Sequence, residues 1–419
     1  MPTTFAGAIA VAGAVFFIVW VLLGAQGLKP EAKLTSQTLF DMVKLSFGVV
    51  AGAGALVALI VAYRRQRVDE DAALREATRL HTERFTTAVS QLGDDSPAVR
   101  LGGVHALAHL ADDAPTRALR QTCIDVMCAY LRLPYTAEAN LPPEDAAARH
   151  AYLALREVRH TIIRLIRDHL RLPTDHAHSW QGHDLDFTNA VFDGGNFDAA
   201  KFSGGTVSFD GAIFSGGTVS LDGGRFSGGT VSFDGAVFSG GTVSLDSAVF
   251  SGSEVTFNAA TFSGSVVTFN AATFSSSPVS FSHAKFSGGR ISFSHAELLG
   301  GSRYVRGTID NGGLGFGGAT FSGSEVTFTR ARFGGSTVSF AGARFSDGTV
   351  SFDAAAFSDG SISFDDATFS GSEVNFNDAA FFGSLVSFEH AHGEAPHGLV
   401  PSSGESLAPG LTLPPTWLP

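Results

Sequence analysis

The sequence predicts two N-terminal transmembrane α-helices, a small α-helical region and then a β-solenoid. Three observations predict it: two long uncharged runs open the chain, a middle segment places apolar residues at three- and four-residue steps, and Phe recurs at fixed spacing through the second half. Of the 37 Phe, 31 lie between Phe187 and Phe388 and none between Phe85 and Phe187, so the construction principle changes near residue 180. These signals divide the chain into a transmembrane hairpin over 1–66, a helical adaptor over 67–175, a linker over 176–186, a solenoid over 187–393 with an irregular segment at 299–315, and a disordered Pro- and Gly-rich tail over 394–419.

The run from Phe5 to Ala25 carries no charge and is long enough, at about 1.5 Å per residue, for a hydrocarbon core of roughly 30 Å. A signal peptide would begin with positive charge, which MPTTF lacks. The second run, Leu45 to Tyr63, is rich in Gly and Ala, which lets two helices approach closely. Arg64, Arg65 and Arg67 abut it, against Lys29, Lys33 and Lys44 between the spans. The denser Arg cluster places both termini and the soluble body in the cytoplasm of a bacterium, with the plasma membrane as the anchor.

Ala73, Leu74, Ala77, Leu80, Phe85, Ala88, Val89 and Leu92 continue a helix beyond the second span. Asp94, Asp95 and Ser96 before Pro97 open another helix, Asp113 and Pro115 open a third, and Glu144 to Leu172 reads as a longer one. The segment SPAVRLGGVHALAHLADD resembles one helix of a HEAT-type repeat.

Cys123 and Cys128 stand five apart in a helical pattern, matching neither a CxxC pair nor a zinc spacing, so reduced, partly buried thiols are expected. His105 and His109 stand one turn apart, but no Glu follows His105 as in HExxH. His176, His178 and His183 could chelate, yet no carboxylate or thiol pattern completes a site, and solvated linker histidines are expected. Catalytic, metal and cofactor sites are expected to be absent. No P-loop and no dinucleotide fingerprint occurs, and the many Ser and Asp of the second half recur at equivalent positions, as scaffold residues do. The net charge of -12, with acidic residues concentrated in the repeat half, argues against direct nucleic-acid binding.

The repeat opens with Phe187, Phe192, Phe197 and Phe202 at a constant five-residue step, with Ala190, Gly195 and Ala200 two before the next Phe. From Phe202 the period is 12: Phe202, Phe209, Phe214, Leu221, Phe226, Phe233, Phe238, Leu245, Phe250, Phe257, Phe262, Phe269 and Phe274 alternate in steps of seven and five. Val207, Val219 and Val231 take one inward small position, and Ala212, Gly224 and Ala236 the other. Stacked coils about 4.8 Å apart would bury continuous ladders, each large side chain contributing roughly 1.5–3 kcal/mol.

The Phe-centred five-residue opening resembles the pentapeptide-repeat family. The resemblance implies a right-handed, four-sided β-helix, each 12-residue unit being two pentapeptides plus a two-residue corner insertion. The opening register favours two such units per coil, and so eight or nine coils, over a two-sided coil made of a single 12-residue unit. Periodicity fails from Leu298 to Phe316 and resumes at Phe321, one position short of two full units after Leu298, so a one-residue irregularity or a protruding loop is expected. Arg303, Tyr304 and Arg306 make this segment the candidate interaction loop.

Together these features describe a non-enzymatic, membrane-tethered scaffold that presents an acidic solenoid to a protein partner. Two alternatives remain open. The resemblance implies that an acidic rod could mimic DNA and bind a DNA-acting protein such as gyrase. The outward ladder Thr206, Thr218, Thr230 and Thr242 resembles the Thr arrays of ice-binding solenoids, although it decays to Glu254, Val266, Pro278 and Arg290.

Overall fold

The computed structural model describes residues 35–418 except 143, 300–302, 306–307, 311–312 and 401–405, together with Phe17 and Val21. The chain forms two compact units, Met1–Glu76 and Ala77–Pro419. Among the described residues one helix, α1 (Ser36–Leu92), is long and apolar enough to cross a membrane. Its apolar stretch is uncovered: Leu45, Phe47, Val49 and Leu59 are each 67–71% exposed. The first expected span, over 5–25, falls outside the described residues apart from the helical Phe17 and Val21.

In the second unit, α2 (Pro97–Asp112), α3 (Arg117–Arg132) and α4 (Ala146–Arg171) pack with the end of α1. Pro97 stands in the first turn of α2, where its missing N–H costs nothing. The N-cap of α3 is Thr116, which accepts from Leu119 N at 3.3 Å, and that of α4 is Asp145, which accepts from Ala148 N at 2.9 Å. Gly103 is required where α2 crosses α1, because a Cβ there would lie 2.6 Å from Leu92 N. Leu107, Ile124, Met127, Leu131, Val158, Ile162 and Ile166 fill the core between the helices.

The remainder is a β-solenoid of about nine turns with parallel sheets of ten, eight and eleven strands. Register settles the coil length. Phe202 pairs with Phe226, Val207 with Val231 and Phe214 with Phe238, each partner lying two sequence units on, so the 12-residue coil is excluded. One coil contributes Lys201–Ser203 to the eight-stranded sheet, Thr206–Ser208 to the ten-stranded sheet and the eight-residue strand Ile213–Ser220, broken by a bulge after Phe214, to the third.

The large side chains form four inward columns. Phe202, Phe226, Phe250 and Phe274 stand in one; Phe209, Phe233 and Phe257 in a second; Phe214, Phe238 and Phe262 in a third; Leu221, Leu245 and Phe269 in the fourth. All are buried, as are Phe192 and Phe197 in the first coil. Successive rings are nearly parallel, with centroids 4.6 Å apart for Phe209–Phe233 and 4.7 Å for Phe214–Phe238, the inter-strand distance itself.

In two of the columns, those of Phe209 and Leu221, each large residue is followed by a turn in which the residue two positions on has positive φ and the residue three on donates back to it, as Ala212 N does to Phe209 O at 3.0 Å. Gly fills this position at 211, 223 and 235, whereas Ala259 (φ 55°), Ala271 (φ 53°) and Arg330 (φ 57°) hold it with side chains.

Four sequence expectations are corrected. Of the two expectations for the segment after Leu298, the one-residue irregularity gives way to the inserted loop: Leu298 pairs with Phe333 rather than with a partner one regular coil on, so this coil carries eleven extra residues. The chain advances one half-coil between Leu298 and Phe321, and the surplus forms an antiparallel hairpin, Arg303–Val305 with Thr308–Asp310. The segment 176–186 is not a free linker, because Trp180 is fully buried and Leu185–Asp186 is already the first strand. His183 within it is buried rather than solvated. The tail is ordered over the described residues 394–400 and 406–418: Leu411–Thr412 adds the last strand of the ten-stranded sheet, and Trp417 covers Phe369 and Phe388 with its Nε1 donating to Gly393 O at 2.8 Å. Composition suggested disorder, but the end of a solenoid offers an apolar surface that such a segment can cover.

Two substitutions at neighbouring positions separate packing from turn strain. Phe257→Ala should cost about 3–5 kcal/mol through the cavity it opens. Ala259→Gly should leave stability unchanged or raise it by up to about 1 kcal/mol by relieving the left-handed backbone. Denaturant titration of both variants measures the contrast.

Candidate functional site

Three features of the second unit can carry function: the hairpin, the regular outer faces and the seam between the helices and the first coil. The hairpin pairs Arg303 with Asp310, Tyr304 with Ile309 and Val305 with Thr308. Two of the three residues expected to form an interaction loop therefore stand on its first strand, and Arg306 lies outside the described residues. The flanking coils pair directly across the insertion, Leu298 with Phe333 and Val279 with Leu314, so the ladder runs on beneath it.

The outer faces are polar and self-paired. At successive coils Asp198, Asp222 and Asp246 form one row and Asp210 and Asp234 another. Asp222 Oδ1 accepts from Ser244 Oγ at 2.5 Å and from Asp246 N at 2.9 Å, and Asp234 Oδ1 accepts from Asn258 N at 2.8 Å. The recurring Ser and Asp thus link one coil to the next. Where the faces become more charged, Arg290 pairs with Glu325 at 2.8 Å and Arg332 with Glu297 at 3.3 Å.

The seam is the part that sequence reasoning missed. In the first coil Gly195 pairs with Val219 at the full coil repeat, but Leu185 pairs with Val207 and Phe192 with Phe214, each two positions short of it. Two residues are therefore missing from the corner at Asp193 and Gly194, and α4 packs there. A Cβ at Gly195, whose φ is 147°, would stand 3.0 Å from Ile163. Asp193 is buried and accepts from the hydroxyls of Tyr135 and Tyr152, both at 2.7 Å, with His160 Nε2 3.9 Å away. Burial opposes ionisation of this carboxyl; His160 and the two tyrosines outweigh it and hold its pKa at about 2. Arg159, buried beside Tyr135, donates to Leu131 O at 2.8 Å and Val191 O at 2.6 Å and so joins helix to coil. The five-residue step from Phe192 to Phe197 was the available signal, because the usual step there is seven.

The remaining expected residues fall into place separately. Burial pushes the Cys123 thiol up to about 11 and the Cys128 thiol up to about 12, which leaves both protonated and unreactive at neutral pH. His105 and His109 lie on the exposed side of α2. His176 and His178 are exposed, and His183 Nδ1 instead meets Gln121 Oε1 at 2.9 Å. Among the described residues no group of three or more His, Cys, Asp or Glu is placed to hold a metal ion. No protein-family model and no curated protein matches the chain.

Asp193 gives a pH-dependent test of the seam. Its pKa is depressed from 3.8 to about 2 on folding, so its contribution is present above pH 3.8 and lost as pH falls toward 2. Asp193→Asn should therefore cost about 2–3 kcal/mol at neutral pH. The gap from the parent protein should close across that acid window when thermal unfolding is followed at several pH values.

Proposed function

We propose that this chain is a non-enzymatic scaffold, tethered to the bacterial plasma membrane by a two-helix hairpin, that presents an acidic solenoid to a protein partner in the cytoplasm. The observation that carries the reading is the apolar stretch of α1, which is long enough to cross a membrane and whose described side chains are uncovered. Lipid is the environment in which that surface is stable. Arg64, Arg65 and Arg67 immediately after the stretch support the cytoplasmic side for the remainder of the chain.

Three further points support a scaffold over an enzyme. The polar side chains of the outer faces are engaged in coil-to-coil hydrogen bonds, the two thiols are buried, and the irregular feature of the solenoid is a hairpin built onto an unbroken ladder. We read that hairpin as the partner-contacting element. The four columns and the five-residue opening support membership of the pentapeptide-repeat family with right-handed, four-sided coils. The stacked Asp rows favour a second reading, DNA mimicry toward a DNA-acting protein such as gyrase. A surface- or ice-binding array has less support, because Thr206 and Thr230 give way to Glu254 in the next coil, and Thr218 and Thr242 to Val266.

Topology is tested with Ser36→Cys and Ser346→Cys in a background lacking Cys123 and Cys128. An impermeant thiol reagent applied to whole cells should label position 36 alone; labelling at 346 would place the solenoid outside and remove the cytoplasmic scaffold. Deleting residues 301–311 restores the regular coil length and should leave the thermal midpoint almost unchanged while abolishing partner crosslinking. Retained crosslinking would shift the contact to the regular faces, and with gyrase as the captured partner would favour the second reading.

A further inference from the structure

A cavity of about 280 Å³ opens where the start of α3 meets the segment entering the first coil, and its lining includes Arg117, Arg120, His176, Ser179, Gln181 and His183. Arg117 donates to Gly182 O, and Arg120 donates to Ala111 O at 2.8 Å, Asp112 O at 3.2 Å and Ser179 O at 3.4 Å. All these acceptors are neutral carbonyls. Neither guanidinium has a carboxylate within ion-pair distance among the described residues, and each has five N–H groups, so both keep donors to spare. Thr116 and Arg117, at the start of α3, also line the opening, so the positive end of that helix adds to the two cations.

His183 supplies the discriminating group. It is only 5% exposed, and the hydrogen bonds of Gln121 fix its tautomer. The Gln121 amide nitrogen donates to Asp125 Oδ1 at 2.7 Å and Asp184 O at 2.8 Å, so its Oε1 is the acceptor that faces His183 Nδ1 at 2.9 Å. Nδ1 therefore carries the proton, and Nε2, which has no hydrogen-bond partner among the described residues, is the free acceptor of a side chain that lines the cavity. A wall of spare arginine donors with one buried acceptor matches an oxyanion that still carries a proton.

We propose that this cavity binds a small phosphate-bearing anion that keeps a P–OH group, inorganic phosphate or the monoanion of a phosphate monoester, with Arg117 and Arg120 on its unprotonated oxygens and His183 Nε2 accepting from that P–OH. Sulfate, which has no proton near neutral pH, and phosphodiester headgroups of ordinary lipids would set oxygen lone pairs against Nε2 and bind less well. The site is independent of the scaffold reading and would make the helix–solenoid seam responsive to a soluble metabolite.

The groups that face His183 are Arg117 and Arg120, opposed by Asp184 and Asp125. Burial first, and then the two arginines, hold its pKa down at about 4. An anion on the arginines should raise it.

Isothermal titration of the full chain in detergent, at low ionic strength and pH 7, should show saturable binding of inorganic phosphate below about 10 mM. Sulfate and Arg117→Gln should each weaken it by about tenfold or more. Arg117 is exposed, so that variant keeps the fold. The imidazole signal that His183→Gln removes should report a higher pKa when phosphate is added. Absence of saturable binding, equal affinity for sulfate, indifference to Arg117→Gln, or an unmoved His183 pKa would each overturn the proposal.

Discussion

Every coil of the solenoid must return its large side chains to the same four columns, and the rest of the structure depends on that constraint. Parallel pairing sets a vertical step of about 4.8 Å, which is also the distance at which Phe rings lie face over face. A column can therefore be continuous only if its strands stay in register, so any change in coil length must fall at a corner. That requirement explains the seven-and-five alternation, the positive-φ residue in each turn, and the way the hairpin is accommodated. At Leu298 the extra residues leave and re-enter at one corner, so that Leu298 still meets Phe333. A single residue inserted inside a strand would instead have turned the inward face outward.

A stack of coils leaves two open ends, each with unpaired backbone and an apolar cross-section. At the N-terminal end α3 and α4 cover the first coil, which is shortened at Asp193 to receive them. The buried carboxylate with its two tyrosine partners and Arg159 joins the helices to the coil through directional bonds, and Trp180, stacked on His169 at 4.0 Å, closes the side. At the C-terminal end the last strand and Trp417 do the same work with fewer residues. Between these caps the outer faces bond to themselves, coil to coil. That division leaves chemistry to the places where the repeat is broken: the hairpin, and the cavity where the helices meet the chain entering the first coil.

Much of this was legible in the sequence because repetition carries its own register. The spacing of Phe202, Phe209, Phe214 and Leu221 identified the inward positions, since a period of side chains is a period of backbone, but strand register had to decide between one and two 12-residue units per coil. The uncharged run from Leu45 to Tyr63 identified an apolar helix from composition alone. The sequence could not say what broke the phase after Leu298, because the count between Leu298 and Phe321 is compatible with nearly two units or with one unit plus an insertion; only pairing across the gap separates them. It also misplaced Trp417 and Trp180, whose polar, Pro-containing surroundings look like tail and linker until the open ends they cover are in view. The junction around Asp193 depends on Tyr135, Tyr152 and Arg159, all remote from it in the chain, and the cavity around His183 on Arg117 and Arg120. Local periodicity determined the solenoid and the apolar helix, because each is built from contacts at a fixed sequence interval. The caps, the hairpin and the His183 tautomer were decided by tertiary structure, because each rests on groups brought together across spacings that no pattern repeats.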